Sequence, residues 1–193
     1  SKGTVNIINS TFINNTAKCG GAIYIKGGNL NIWDTKFINN YADMFGGAIT
    51  SVRSNLKLSN ITARDNNAES IGGAVYSIYD IISITNSTFT NNSADSAGAV
   101  YIDAANHDFI VNNTFKNNIA LDKGFDLYLF YNSNSTIANN TYSSDDGFLE
   151  TFEINMFLGN GNYTLYNYNP MEIDEIPTKY DLRDLYVTPV KSQ

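Results

Sequence analysis

Acidic side chains recur at one point along this 193-residue chain. Asp43, Glu69 and Asp95 each follow an alanine of a repeated phrase, and Asp122 comes next. Carboxylates repeated along one edge have two chemical uses. They can hold a hard cation through oxygen ligands, or serve as the acid and base of a glycosidase when two of them face one groove. The stripe is a weak calcium candidate on these grounds, and a row of solvated corner residues is the plainer reading. Other reactive groups are sparse. Cys19 is the one cysteine, which excludes an internal disulfide framework. It reads as a small half-buried corner residue rather than a reactive thiol, because no histidine is near it in sequence. His107, the one histidine, lies in the Ala104–Asp108 loop and reads as a surface residue. Arg53 and Arg64 are the arginines of the repeats and sit in no evident cluster. No catalytic constellation emerges, and nothing calls for a cofactor.

The elements that must position these residues are repeats. The phrase CGGAIYI at Cys19–Ile25 returns as GGAITS at Gly46–Ser51, GGAVYS at Gly72–Ser77, AGAVYI at Ala97–Ile102 and GFDLYL at Gly124–Leu129. Successive copies lie 26, 26, 25 and 27 residues apart. A second phrase precedes each copy: TFINNTA, KFINNYA, ARDNNA, TFTNNSA and TFKNNIA. A period this regular means one supersecondary unit stacked on copies of itself. Three columns stand out in the alignment. Phe12, Phe37, Ala63, Phe89, Phe115 and Tyr142 form one. Ile7, Ile32, Leu58, Ile84, Ile110 and Ile137 form the second, and Asn9, Asp34, Asn60, Asn86, Asn112 and Asn139 the third. Ile23, Ile49, Val75, Val100 and Leu127 add another apolar column in the glycine half.

Segments such as VNIINSTF and ISITNSTF alternate apolar and polar residues at period two, and they are rich in β-branched residues and asparagine. Helical spacing is absent. The pattern is an all-β, single-stranded parallel β-helix of five to six coils, with two to three short strands per coil. Coils paired at ~4.8 Å make a five-coil rod of roughly 24 Å. Aliphatic and aromatic residues stack in the bore, and the asparagine column is expected to face inward as an amide ladder. The paired glycines mark corners needing positive φ or close backbone approach. Ala63 interrupts the aromatic column, so either a neighbour fills the gap or a cavity weakens the middle of the rod.

Composition narrows the function. Asparagine supplies 29 residues, charged residues are 16%, and the net charge is −7. An acidic rod is a poor partner for nucleic acid, which needs a basic face. No apolar run is long enough to span a bilayer. The first residue is Ser1 and no signal peptide is visible, so the chain reads as a piece of something larger. Asn-x-Ser/Thr sequons occur at Asn9, Asn14, Asn60, Asn86, Asn91, Asn112, Asn134, Asn139 and Asn162. With the Asn9 column inward, Asn14 and Asn91 are the better glycan acceptors.

FINN followed by GGAI resembles the repeats of polymorphic outer-membrane proteins. It is similar, too, to the right-handed β-helix regions of adhesin-like surface proteins from methanogenic archaea. The resemblance covers residues 1–142 and is specific for architecture rather than activity. It implies a right-handed coil, display at the cell surface or outside the cell, adhesion, and contact with other cells, extracellular protein or polysaccharide. A monomeric rod without a membrane span fits it.

Residues 143–170 read as a terminal coil or hairpin that closes the bore, since open solenoid ends expose strand edges and core. Residues 171–193 are a different composition. Ile176–Arg183 reads IPTKYDLR and Tyr186–Gln193 reads YVTPVKSQ. This resembles the mature amino terminus of papain-like cysteine peptidases. Tyr186 stands where that family usually has glycine. The resemblance implies an oxyanion-hole role for Gln193, whose amide could donate to a developing oxyanion. The nucleophile, histidine and asparagine of that family are not in this sequence, so the chain by itself is expected to be inactive. The expected function is a surface-displayed or secreted β-helical stalk carrying a papain-like peptidase beyond this chain. The alternatives are a polysaccharide-binding or polysaccharide-cleaving β-helix and an inert spacer.

Overall fold

The computed structural model describes residues 3–130 and 135–143 and the strands Phe152–Asn155 and Thr164–Tyr166. Every strand pairs parallel with its equivalent one repeat away, and the described residues contain no helix. Each coil has four short strands, not two or three, so the solenoid has four sides. The first coil runs Thr4–Ile8, Thr11–Ile13, Thr16–Cys19 and Ile23–Lys26, and these strands begin sheets one to four. The four sheets hold seven, six, five and six strands respectively. The extra side comes from the asparagine pairs, which turn the chain twice within a phrase that reads as one strand and its turn.

The apolar columns pair in the register expected. Ile7 faces Ile32, which faces Leu58, and the line continues through Ile84, Ile110 and Ile137. Phe37, Phe89 and Phe115 are fully buried. Phe12 and Phe37 stack with ring centroids 5.1 Å apart, as do Phe89 and Phe115. Identical residues repeat at strand spacing, so each ring meets its copy in an offset stack. Strands Phe152–Asn155 and Thr164–Tyr166 add further parallel rungs, on Leu127–Phe130 and Thr136–Ala138. Residues 171–193, and with them Tyr186 and Gln193, lie outside the described residues.

The asparagine column is placed differently from expectation. Asn9, Asp34, Asn60, Asn86, Asn112 and Asn139 all have φ between 47° and 59°, and all are exposed. They make the left-handed corner between sheets one and two, which asparagine and aspartate tolerate best among residues with a side chain. The inward ladder belongs to the second residue of each Asn-Asn pair. Asn15, Asn40, Asn66, Asn92 and Asn118 point into the bore at the next corner, while Asn14, Asn39, Asp65, Asn91 and Asn117 take the left-handed turn. Period-two reasoning assigned the wrong face because a left-handed residue between two strands resets the alternation.

This geometry accounts for the sequons. A left-handed Asn, an inward residue (polar except for Ile61) and a Thr or Ser opening the next strand spell Asn-x-Thr/Ser at the described sites. The burial argument against Asn9, Asn60, Asn86, Asn112 and Asn139 as glycan acceptors does not hold, since they are as exposed as Asn14 and Asn91.

The gap at Ala63 is filled from its own coil. Ala63 is 1% exposed, and Ile61, 2% exposed, joins it in the main buried cluster. Ile61 stands where neighbouring coils carry Ser10, Thr35 and Ser87, so this coil trades a large residue at one inward position for one at another. Ala63→Phe alone should overpack the bore and cost about 1–3 kcal/mol. Ala63→Phe combined with Ile61→Thr should recover most of that loss in urea unfolding. An additive double mutant would show that the two positions do not share space.

The glycine phrase forms the corner between sheets three and four. Gly46 has φ +61°, and a Cβ on Gly47 would sit 2.1 Å from the Gly73 carbonyl oxygen. The first glycine therefore supplies conformation and the second permits coil-to-coil contact. Each position is filled once by another residue, the first by Ala97 at φ 55° and the second by Phe125 in the last copy.

Candidate functional site

Three outward features carry chemistry. The first is the acidic stripe on sheet three. Asp43, Glu69 and Asp95 are exposed and follow the buried Ala42, Ala68 and Ala94. The Tyr41 hydroxyl donates to Glu69 Oε1. That bond, with the charges of Glu69 and Asp43, pushes the Tyr41 phenol up to about 12. At its ends the stripe becomes irregular. Lys18 stands opposite the Asp43–Met44 step, and Asp95 faces Leu121–Asp122, where the pairing carries an extra residue. Leu121 is 81% exposed. A shallow groove of about 350 Å³ runs beside Glu69, Asp95, Ile119 and Leu121. The three carboxylates stand in line along the rod instead of converging. Among the described residues no three His, Cys, Asp or Glu side chains come together as a metal set.

The second feature is an aromatic row on sheet four. Tyr24, Thr50, Tyr76, Tyr101 and Tyr128 form one column in register. Tyr76 stacks on Tyr101 at 5.4 Å with rings nearly parallel, and Phe45 stacks on Tyr76 at 4.8 Å from the neighbouring corner. Tyr24 is 55% exposed and Tyr76 is half-buried, while Tyr101 and Tyr128 are buried. Burial, with the negative field of Asp103, pushes the Tyr76 phenol up to about 12. Sequence reasoning followed the aliphatic residue of GGAIY and passed over the tyrosine after it. The signal was the recurrence of that tyrosine in every copy except Thr50. Cys19 sits at the edge of this feature, half-buried and in line with Phe45, Ile71 and Ser96.

The third feature is the corner between sheets four and one. Arg53, Tyr79 and Ala104 turn it with φ of 52°, 56° and 49°, and His107 follows at 68°. Arg53, Tyr79 and Ala104 are not residue types that favour the left-handed region, and such strain gathers where a corner is used for something besides turning. The Arg53 guanidinium lies over the Tyr79 ring, 5.4 Å from its centroid. Arg53, Tyr79, Asp80, Asn106 and His107 border a groove of about 360 Å³. Beneath them are two buried carboxylates, Asp80 at 3% and Asp108 at 1% exposure. Asp80 accepts from the Ser54 backbone N–H at 2.6 Å and from Ser77 Oγ at 2.8 Å. Asp108 accepts from Ser135 Oγ at 2.8 Å. Burial raises both carboxyls, that of Asp108 to about 7, with the nearby Asp80 charge adding to the rise. His107 is visible in this loop from sequence, but Asp80 and Asp108 belong to no repeated column and so carry no spacing signal.

One repeat unit settles what the chain is similar to. Residues 9–26 match the Chlamydia polymorphic membrane protein (Chlamydia_PMP) repeat. The match runs from the left-handed Asn9 through the inward Asn15 and the glycine corner to Lys26, and so spans three of the four corners of a coil. No curated protein and no solved structure matches the chain. Among the described residues no helix is long and apolar enough to cross a membrane, which does not bear on spanning by strands.

Proposed function

We propose that this chain is a surface-displayed or secreted β-helical stalk of the adhesin type. The observation that carries the reading is the continuous in-register solenoid, one unit of which matches a polymorphic membrane protein repeat. Nearly all inward residues serve stacking, so the rod supplies reach and an outer surface instead of a reaction centre. The coil is taken as right-handed, from the resemblance of the repeats and the general preference of parallel crossover connections. Labelling intact cells of the source organism with antibody against the rod tests display. Signal on unpermeabilised cells or in the medium is expected, and signal confined to lysed cells would sink the reading.

The finer reading joins this stalk to a papain-like peptidase and rests on the Ile176–Gln193 phrase, with Gln193 as oxyanion donor. The chain would then carry the peptidase away from the cell or hold it at a surface. A natural protein containing this phrase should have a cysteine within about ten residues after Gln193 and show thiol-dependent proteolysis. A longer protein without that cysteine rules the peptidase out.

Contact with polysaccharide is a second reading, favoured by the 55%-exposed Tyr24 at the end of the aromatic row, whose ring is open to a sugar face. On a glycan array, Tyr24→Ala with Tyr76→Ala should abolish binding on this reading. Loss with Asp43, Glu69 and Asp95 replaced instead would move the site to the acidic stripe. A rod that binds nothing on the array is an inert spacer.

A further inference from the structure

The net charge of −7 is spread unevenly around the rod. The exposed carboxylates Asp43, Glu69 and Asp95 lie along sheet three. Two corners away, none of the seven strands of sheet one contains an aspartate or a glutamate. On the outer side of sheet one, Asn29, Asn55 and Ile81 stand in register. The next outer column runs Asn6, Asn31, Lys57, Ser83 and Phe109. The groove at the corner between sheets four and one opens onto this face, since Asn55 and Ile81 line it together with Arg53. Arg53 and Lys57 are exposed, and among the described residues neither forms an ion pair. The exposed carboxylate at the far edge of the sheet, Asp34, accepts from Asn60 at 2.6 Å.

The groove and the face beside it suit an extended ligand rich in hydroxyls. The Arg53 guanidinium lies over the Tyr79 ring, 5.4 Å from its centroid. A guanidinium stacked in this way keeps its in-plane N–H donors for an acceptor. The step from Ile78 to Ser83 is five residues, and the step between their partners Asp103 and Phe109 is six. The extra residue falls in the Ala104–Asp108 loop, which contributes Asn106 and His107 to the groove. Arg53, Tyr79 and His107 belong to successive coils, so they cover about 10 Å of the rod, two strand spacings. That length fits consecutive units of a polymer. On the sheet itself, Asn55 Nδ2 donates to Asn29 Oδ1 at 2.7 Å and Asn31 Nδ2 to Asn6 Oδ1 at 2.9 Å. Each amide uses one N–H in this bond and has a second for a ligand. Tyr79 is 55% exposed and Phe109 45%, so both rings offer apolar surface beside polar groups.

We infer that this groove, with the outer face of sheet one, binds an acidic polysaccharide whose sugar rings carry carboxylates. Arg53 takes a carboxylate in a bidentate pair. Lys57 adds a second positive charge, and the amides of Asn31 and Asn55 bond sugar hydroxyls. Tyr79 and Phe109 give sugar rings an apolar surface to lie on. For its class of ligand the proposal rests on the polysaccharide reading, but it places the contact on another face from Tyr24. An acidic peptide has less to bind here. The inner strands of sheet one use their backbone groups in the ladders, which leaves no edge along this face for strand addition. Nucleic acid needs a larger positive surface than Arg53 and Lys57 provide.

Binding of the purified chain to immobilised polygalacturonate, dextran and poly-glutamate, read by biolayer interferometry at low and high salt, tests the site. Polygalacturonate should bind, and less tightly as salt rises, while the other two polymers should bind markedly less. Arg53→Asn should lower the affinity about tenfold or more, the scale of a lost hydrogen bond between charged groups. Asparagine tolerates the left-handed corner, so this variant should keep the wild-type Tm. Lys57→Gln should lower the affinity about twofold to fivefold, the size of one exposed charge pair, and it decides the matter if the corner variant melts early. Asp43→Asn on sheet three should leave binding unchanged. Failure of polygalacturonate to bind overturns the proposal, as does binding that survives both Arg53→Asn and Lys57→Gln. Equal binding of poly-glutamate would reduce the site to charge alone, and equal binding of dextran would remove the carboxylate from it, so either result overturns it as well. Loss with Tyr24→Ala while Arg53→Asn binds normally overturns this site and keeps the polysaccharide reading, with its contact on sheet four.

Discussion

Asn92→Ala is expected to cost about 3–6 kcal/mol, far more than one surface amide, because Asn92 is an interior rung of a buried ladder whose bonds are shared. Asn92 Oδ1 accepts from the Asn66 backbone N–H at 3.1 Å and from Asn66 Nδ2 at 2.9 Å. Its own Nδ2 donates to the Ala63 carbonyl at 3.0 Å and to Asn118 Oδ1 at 2.9 Å. Below it Asn40 bonds Asn66 in the same way, and above it Asn118 ends the ladder on the Asp126 carboxylate at 2.7 Å. Truncation leaves two donors on Asn66 and the Ala63 carbonyl without partners in a dry bore. An unmet buried group costs about 1–3 kcal/mol, so three set the scale of the loss. The control is the adjacent Asn91, which is exposed, turns the corner at φ 54° and bonds Asp65 at 3.2 Å. Asn91→Ala should cost only about 1–2 kcal/mol, the penalty of a left-handed alanine. Urea unfolding of both variants decides the matter. Equal midpoints would show that the inner ladder contributes no more than the outer turn.

Asp108 should make the rod less stable as pH rises, opposite to the usual behaviour of a salt-bridged carboxylate. Burial lifts its carboxyl from 3.8 to about 7, against the bond from Ser135. The folded chain therefore holds this proton more tightly than the unfolded chain. Stability from that proton is complete below about pH 4, and it is lost progressively up to about pH 7. One pKa unit corresponds to about 1.4 kcal/mol, so the full loss is on the order of 4–5 kcal/mol. Asp80 and Asp103 are raised by burial too, and act in the same direction. In EDTA, wild type should melt at a lower temperature at pH 8 than at pH 5. Asp108→Asn keeps an acceptor for Ser135 and cannot ionise, so it should flatten the profile and exceed wild type at pH 8. Parallel profiles for the two proteins would show that Asp108 is not the titrating group.

Much of the architecture was legible because a stacked repeat writes each inward position several times. Ile7 through Ile137 and Phe12 through Tyr142 could be aligned by eye, and the register followed from the alignment. The face of the asparagines was not legible. Asn9 and Asn15 are the same residue type in similar phrases, yet one makes an exposed corner and the other a buried rung. Their difference lies in φ, which the residue name does not carry. The exchange between Ile61 and Ala63 was hidden as well, since each looks like an isolated deviation until both are seen buried in the same coil and cluster.

The outer surface divides in the same way. The acidic stripe was visible because Asp43, Glu69 and Asp95 recur, and the structure shows them exposed and in line. The tyrosines recur too, but a column yields its side of the sheet only once the corner before it is placed. Asp80 and Asp108 do not recur. Asp108 reaches the bore through the Ala104–Asp108 loop, where the repeat is broken, and no spacing rule applies to it.

What the amino-acid sequence determined by itself is the stacking: parallel coils, their register, and the identity of most inward residues, because a repeat forces like onto like at one strand spacing. What only the tertiary structure decided is direction and neighbourhood. Left-handed corners choose which asparagine turns inward, and the broken repeat between sheets four and one leaves the non-repeated Asp80 and Asp108 buried there.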